Sequence, residues 1–222
     1  MSGDQQKAAD VRAWAKAAQV LAERDQVIRR LVAETGLPEI HVSSETPFEA
    51  LLRAVVYQQL AGRAAAAIHG RLVSALDGKV TPAQLLTLTP EAMRAAGLSA
   101  RKVSSLRDLA AKVEDGMVTL DPVGIRDEAD DLLIERLTTV PGIGIWTVQM
   151  FLIFQLQRLD IWPVGDLGVR KGYGLGWGVP TPTPKQLDPL GEPFRPYRSV
   201  LTWYCWRAAE RYGGAADSAL TR

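Results

Sequence analysis

Three Thr-Pro pairs, Thr46-Pro47, Thr81-Pro82 and Thr89-Pro90, each stand directly before a run of helix formers: "FEALLRAVVYQQL", "AQLL" and "EAMRAAG". A threonine hydroxyl accepts from the N–H groups of a first helical turn, and proline suits the first helical position, where no N–H is needed. Punctuation of this kind commits a chain to helices joined by tight connections. Alanine, leucine, arginine and glutamate dominate around it, and long alternating runs of β-branched residues are scarce. Strands therefore have little to form from. The reading is all-α.

The other elements follow the same punctuation. Residues 8–35 read as one amphipathic helix closed by Gly36 and Pro38. "GRAAAAIHGRLVSAL" gives a helix that stops at "DGK", and "SARKVSSLRDLAAKVEDG" gives a longer one. Residues 129–138 enter a Pro-Gly-Ile-Gly turn and residues 145–157 leave it as a helix. Asp166 can cap another short helix after "RLDIWPV". The stretch "GYGLGWGVPTPTPKQLDPLGEPF" reads as a long Gly/Pro-rich connection, and a last helix covers about 195–211.

Composition removes several classes of function. Twenty-six Lys and Arg oppose 25 Asp and Glu, for a net charge of +1, so the chain lacks the basic surplus of a protein that coats nucleic acid. Any DNA contact must come from local basic groups and helix ends. One cysteine, Cys205, excludes an internal disulfide and a four-cysteine iron–sulfur cluster. His41 and His69 lie far apart without cysteine partners, which argues against zinc. The start has no signal-peptide core and no 18-residue apolar run suggests a membrane span, so a cytoplasmic setting without a membrane partner is expected.

"LTTVPGIGIWTVQMFLIF", residues 137–154, carries the most chemistry. Glycines in any helix–helix turn permit positive φ, and a lone match means no more than that. Here an apolar stretch precedes the turn and a long apolar helix follows it, as in a helix-hairpin-helix. The N–H groups of Gly142, Gly144, Trp146 and Thr147 can then face one phosphate, a grip that reads backbone and not base sequence.

This stretch, followed by "WPVGDLGVRKG", resembles the helix-hairpin-helix (HhH-GPD) DNA glycosylase superfamily, with Asp166 standing 20 residues after Trp146. "PFEALLRAVVYQQLAGRAA" and "AAGLSARKVSSLRDLA" are similar to segments of 3-methyladenine DNA glycosylase II, the AlkA type. The resemblance covers about residues 45–212. It implies a single glycosylase unit of two helical subdomains with a base-binding cleft between them. One subdomain is a central bundle over 46–162, and the other joins 1–45 to 163–222. It also implies a monomer acting on double-stranded DNA, and a minor-groove wedge at Gln59 or, second, Leu60. Base-pocket positions fall on Trp146, Trp206, Met150 and Tyr57, with Met150 standing where the bacterial archetype has tyrosine. Family hairpins hold a structural Na+ or K+ through backbone carbonyls, here those of Thr138, Val140 and Ile143. No cofactor is implied for catalysis.

The implied chemistry is hydrolysis of an N-glycosidic bond. Its oxocarbenium-like transition state is cationic, and a fixed carboxylate at Asp166 stabilises it. A helix N-cap is the plainer role for the same residue, and both roles can hold together. No second acid is needed if the leaving base is alkylated and already cationic, and aromatic faces favour such a base. Bifunctional relatives place a lysine before the position of Thr147 as an amine nucleophile; Trp146 cannot do that chemistry, so a monofunctional enzyme is expected. Arg63, Arg101, Lys102, Arg170 and Lys171 are candidate phosphate contacts. Two other readings fit the same residues: a non-catalytic DNA-binding module, and a glycosylase for mismatched or oxidised bases.

Overall fold

The computed structural model describes residues 3–40, 43–60 and 62–217. Every regular element among them is helical. In order these are α1 (Gly3–Arg24), α2 (Gln26–Thr35), α3 (Pro47–Tyr57), α4 (Gly62–Ala75), α5 (Pro82–Thr87), α6 (Pro90–Ala95), α7 (Ala100–Glu114), α8 (Asp130–Thr138), α9 (Ile145–Phe154), α10 (Leu167–Trp177), α11 (Pro184–Leu190) and α12 (Arg198–Asp217). The chain divides into two compact units, residues 43–151 and residues 1–42 with 152–222, and the division falls within α9.

In the unit of residues 43–151 the Thr-Pro punctuation does what the sequence expects. Thr46 Oγ1 accepts from Glu49 N at 3.3 Å while Glu49 Oε2 accepts from Thr46 N at 2.6 Å, a reciprocal capping box. Thr81 and Thr89 accept from Gln84 N and Ala92 N, each at 3.2 Å. Helix α7 is the hub, packing against α3, α5 and α6. Its Val103, Leu106, Leu109 and Ala110 are buried, as are Leu51, Leu52, Val55 and Val56 of α3. Each fully buried leucine contributes roughly 1.5–3 kcal/mol.

The other unit departs from the sequence reading at three places, one being that α12 continues to Asp217, past the end expected near residue 211. The single helix expected over residues 8–35 is two, broken at Asp25, whose backbone is extended at φ −133°. Its Oδ1 accepts from Val27 N at 2.8 Å and Ile28 N at 2.9 Å, so the carboxylate caps α2 instead of sitting inside one long helix. Aspartate competes with helical backbone bonds in this way, which makes it a better cap than interior residue. Gly36, at φ +81°, ends α2 as expected.

The third departure is the Gly/Pro-rich stretch. Helix α10 runs on to Trp177, longer than the short helix expected after Asp166, and Thr183 forms a second capping box, with Gln186, that opens α11. The glycines inside α10 serve packing. A Cβ on Gly172 would lie 1.7 Å from the backbone oxygen of Cys205, so α10 and α12 touch backbone to backbone there. A mid-helix glycine costs up to about 1 kcal/mol against alanine, a cost that this close approach offsets.

Candidate active site

The turn between α8 and α9 is built from both sides. Val140 and Ile143 are buried, and Ile143 N donates to Val140 O at 3.0 Å to close it. Gly142 has φ +90°, in the left-handed region, and a Cβ there would fall 2.4 Å from Ser105 Oγ of α7. The position therefore excludes side chains twice over, by backbone conformation and by space. Lys112 Nζ donates to Thr139 O at 2.7 Å, and Gln58 Nε2 donates to Gly142 O at 3.0 Å. Thr138 Oγ1 turns back to Ile134 O at 2.7 Å.

Beyond the turn, the start of α9 is open. No heavy atom would come within 4 Å of a Cβ on Gly144, and Gly144, Ile145 and Trp146 are all exposed. First-turn N–H groups have no acceptor within their own helix, so an exposed helix start is a ready anion site. Thr147 is different: it is buried, and its Oγ1 accepts from Gln58 Nε2 at 3.2 Å. A Gly144→Leu substitution should fold, because the side chain meets open space. It should weaken binding to every duplex alike by about tenfold or more, the worth of one charge-assisted hydrogen bond. Titration against damaged and undamaged duplexes checks this; a loss confined to damaged DNA would contradict a backbone grip at this turn.

A cavity of about 440 Å³ joins the turn to the end of α3. Tyr57 and Gln59 line it from one side, with Trp146, Met150, Gly142 and Thr147 from the other. The structure thus brings three of the four candidate pocket residues together with the first candidate wedge residue. No lining side chain is a carboxylate, an ammonium or a guanidinium. Behind Tyr57, His69 meets its ring edge-on at 6.2 Å, and burial pushes the imidazole's pKa down. His41 lies outside the described residues. Leu60 is 39% exposed and does not line the cavity. A larger cavity of about 660 Å³ in the same unit is walled by residues such as Phe48, Val80 and Leu120, and contains none of the candidate residues.

Trp206, the fourth pocket candidate, belongs with Asp166. Asp166 caps α10: its Oδ1 accepts from Val169 N at 2.7 Å and from the Trp206 indole Nε1–H at 3.1 Å. Two donors on one oxygen fix the carboxylate plane. Phe154 stacks on Trp206 with centroids 5.7 Å apart and planes 15° from parallel, which fixes the indole in turn. Gly168 keeps the region tight, since a Cβ there would lie 3.1 Å from both Asp166 Oδ1 and Trp206 Cδ1. Burial, and next the Asp166 charge, push the Cys205 thiol well up, so this neighbour stays protonated.

Two of the basic candidates do something else. Lys102 Nζ donates to Val56 O at 2.7 Å and Gln58 O at 2.9 Å, and Arg170 Nε donates to Pro182 O at 2.7 Å. Half-buried, these ammonium and guanidinium groups satisfy carbonyls that end helices and loops, a structural role that the sequence does not suggest. Arg63, Arg101 and Lys171 are exposed. Trp14, Trp162 and Trp203 are buried, in keeping with core roles. The sequence reading missed Phe154 and Gln58. Phe154 follows Met150 by four residues on α9, a same-face spacing that would have marked it; Gln58 carried no signal apart from adjacency to Gln59.

A helical chain with this capped turn, and a capping aspartate on the next helix but one after α8, defines a class of protein. It belongs to the HhH-GPD superfamily of base excision DNA repair proteins, whose family model matches residues 52–196. The chain is 38% identical over 199 residues to DNA-3-methyladenine glycosylase 1 of Schizosaccharomyces pombe, covering 86% of this chain and 85% of that protein. The crystal structure of the S. pombe 3-methyladenine DNA glycosylase in complex with abasic DNA superposes with a TM-score of 0.77 at 37% identity, covering 88% of this chain and 97% of that one. A DNA-3-methyladenine glycosidase from Bacillus halodurans superposes with a TM-score of 0.80 at 32% identity, over 89% and 91% of the two chains. No helix among the described residues is long and apolar enough to cross a membrane.

Proposed function

We propose that this protein is a monofunctional DNA glycosylase that hydrolyses the N-glycosidic bond of alkylated bases in duplex DNA. The observation that carries the reading is Asp166, a carboxylate held by a helix N–H and an indole N–H, in a chain whose hairpin helix offers Trp146 where a lyase would need an amine. The start of α9 takes a DNA phosphate without reading sequence. Flipping brings the target base out of the stack. Aromatic faces and the Met150 thioether suit a cationic methylated purine, each ring contributing roughly 0.5–2 kcal/mol by cation–π attraction. The alkylated base leaves with the bonding electrons and becomes neutral. Asp166 stabilises the positive charge that develops on the sugar and orients or deprotonates the water that attacks it. With no amine nucleophile at position 146, the product is an uncut abasic site; abasic DNA is what the S. pombe glycosylase structure contains.

The same reading places the protein in base excision repair as a DNA-bound monomer of the cytoplasm. A structural Na+ or K+ would be held by Thr138, Val140 and Ile143, whose carbonyl oxygens are neutral, hard donors suited to a monovalent cation. Bound there, it would add positive potential to the hairpin's N–H groups.

Mass-resolved release of free bases from methylated duplex DNA tests the function, with strand integrity followed in parallel. Release of 3-methyladenine or 7-methylguanine, the strand staying whole until alkali is added, is expected. Duplex binding with no base released would make the chain a binding module, and nicking without alkali would make it a lyase.

A further inference from the structure

The end of α3 leaves its helix by a strained route. Gln59, beside the cavity, sits at φ +55°, left-handed backbone that non-glycine residues seldom hold. The segment comprises residues 58–60. Among the described residues its one backbone turn bond is Leu60 N to Tyr57 O, a long 3.4 Å. What holds it comes from other elements.

One hold is Lys102. Its ammonium takes the carbonyls of Val56 and Gln58 together, at 2.7 and 2.9 Å, and these bracket the point where α3 ends. Lys102 stands in the first turn of α7, where its own backbone N–H is used by the Ser99 cap. A cation is disfavoured there by the helix dipole, and burial pushes the ammonium's pKa down. Local energetics therefore do not explain a lysine at this position; the two carbonyls do. The other hold is Gln58 itself, whose amide reaches Gly142 O and Thr147 Oγ1 across the cavity wall. Lys102 fixes the backbone of the segment, and the Gln58 side chain ties that backbone to the hairpin.

We propose that Lys102 is a positioning residue for base extrusion: by clamping the carbonyls of Val56 and Gln58 it holds Gln59 in the left-handed conformation that aims it at the duplex, and through Gln58 it locks that wedge in register with the phosphate-gripping hairpin. This rests on the glycosylase reading above. Lys102 touches no reacting atom. Its loss should matter where a paired base must be levered out, and little where the base is already unpaired.

The test compares two duplexes with the same methylated base, one with its normal partner opposite and one with an abasic gap opposite. Single-turnover release is followed for the wild type, Lys102→Met, Lys102→Arg and Gln58→Leu, and for the Lys102→Met/Gln58→Leu double variant. Lys102→Met should slow release from the paired duplex by about tenfold or more, the scale of effect that misplacing a positioned group produces. It should slow release from the gapped duplex by less than about twofold, and Lys102→Arg should recover part of the loss because it keeps a charged donor. Gln58→Leu leaves the Lys102 clamp in place and should show the same duplex-selective loss. The double variant should be no worse than the poorer single variant, since both act through one segment. Equal slowing on both duplexes by Lys102→Met and Gln58→Leu would overturn the assignment in favour of a general structural role, as would no slowing on either. Absence of release by the wild type from both duplexes would instead bring down the glycosylase reading, and this assignment with it.

Discussion

Asp166→Asn is expected to lower the rate of base release by roughly 10²–10³-fold, about 3–4 kcal/mol of transition-state stabilisation, while the protein folds and binds DNA as before. The separation is possible because the cap and the proposed catalytic role make different demands on Asp166. As the cap of α10 it accepts from Val169 N and the Trp206 indole through Oδ1, and an asparagine carbonyl can accept both. Asparagine caps helices about as well as aspartate, so stability should stay within about 0.5 kcal/mol. What asparagine lacks is the negative charge that an oxocarbenium-like transition state calls for. Asp166→Ala is the control that loses both: a missing cap costs about 1 kcal/mol, or roughly 2–4 °C in Tm for a chain of this size. Single-turnover release and thermal melting of the three proteins decide the matter. Release from Asp166→Asn at the wild-type rate would leave the cap as the residue's whole role.

Gly172→Ala should be the most damaging glycine-to-alanine change among the described residues. An ideal Cβ at 172 lies 1.7 Å from the Cys205 carbonyl oxygen, 2.4 Å from its carbon and 2.9 Å from its Cα, all backbone atoms that no rotamer change can move aside. Helices α10 and α12 would have to separate, and overpacking of this kind costs about 3 kcal/mol or more, lowering Tm by roughly 6–12 °C. Activity should fall further than stability alone accounts for. Trp206, the residue after Cys205, donates to Asp166, so a displaced α12 takes the indole off the carboxylate. One helical turn further on, Gly176→Ala provides the contrast. Its Cβ would meet Ala208 Cβ and Val27 at 3.6 Å, an ordinary contact, and alanine's helix propensity favours it by up to about 1 kcal/mol. Gly176→Ala should therefore melt at or above the wild-type temperature. If Gly172→Ala melted with it, the backbone contact between α10 and α12 would not be as close as described.

These two glycines, four residues apart on one helix, also show where sequence reasoning stops. By itself the sequence determined the helical class and most helix starts, because capping and proline preference are local: Thr46, Thr81 and Thr89 bond the backbone three residues ahead, and no distant group is needed to predict it. It also marked the Pro-Gly-Ile-Gly turn, since φ +90° at Gly142 follows from a tight reversal between two apolar helices. The break at Asp25 was local too, but an isolated capping residue inside an apolar period looks like the polar face of a continuous helix. Only the tertiary structure decided what the residues in the Gly-rich segment do. Glycine reads as a breaker when its helix is considered alone, and becomes a helix residue when a second backbone at Cys205 needs the space. In the same way Lys102 and Arg170 read as phosphate contacts because charge is visible in a sequence, whereas the carbonyls that accept their hydrogen bonds belong to residues 46 and 12 positions away. Capping energies act over a few residues and can be read in order along the chain; close approach and carbonyl pairing depend on which elements fold against each other, and that is settled in three dimensions.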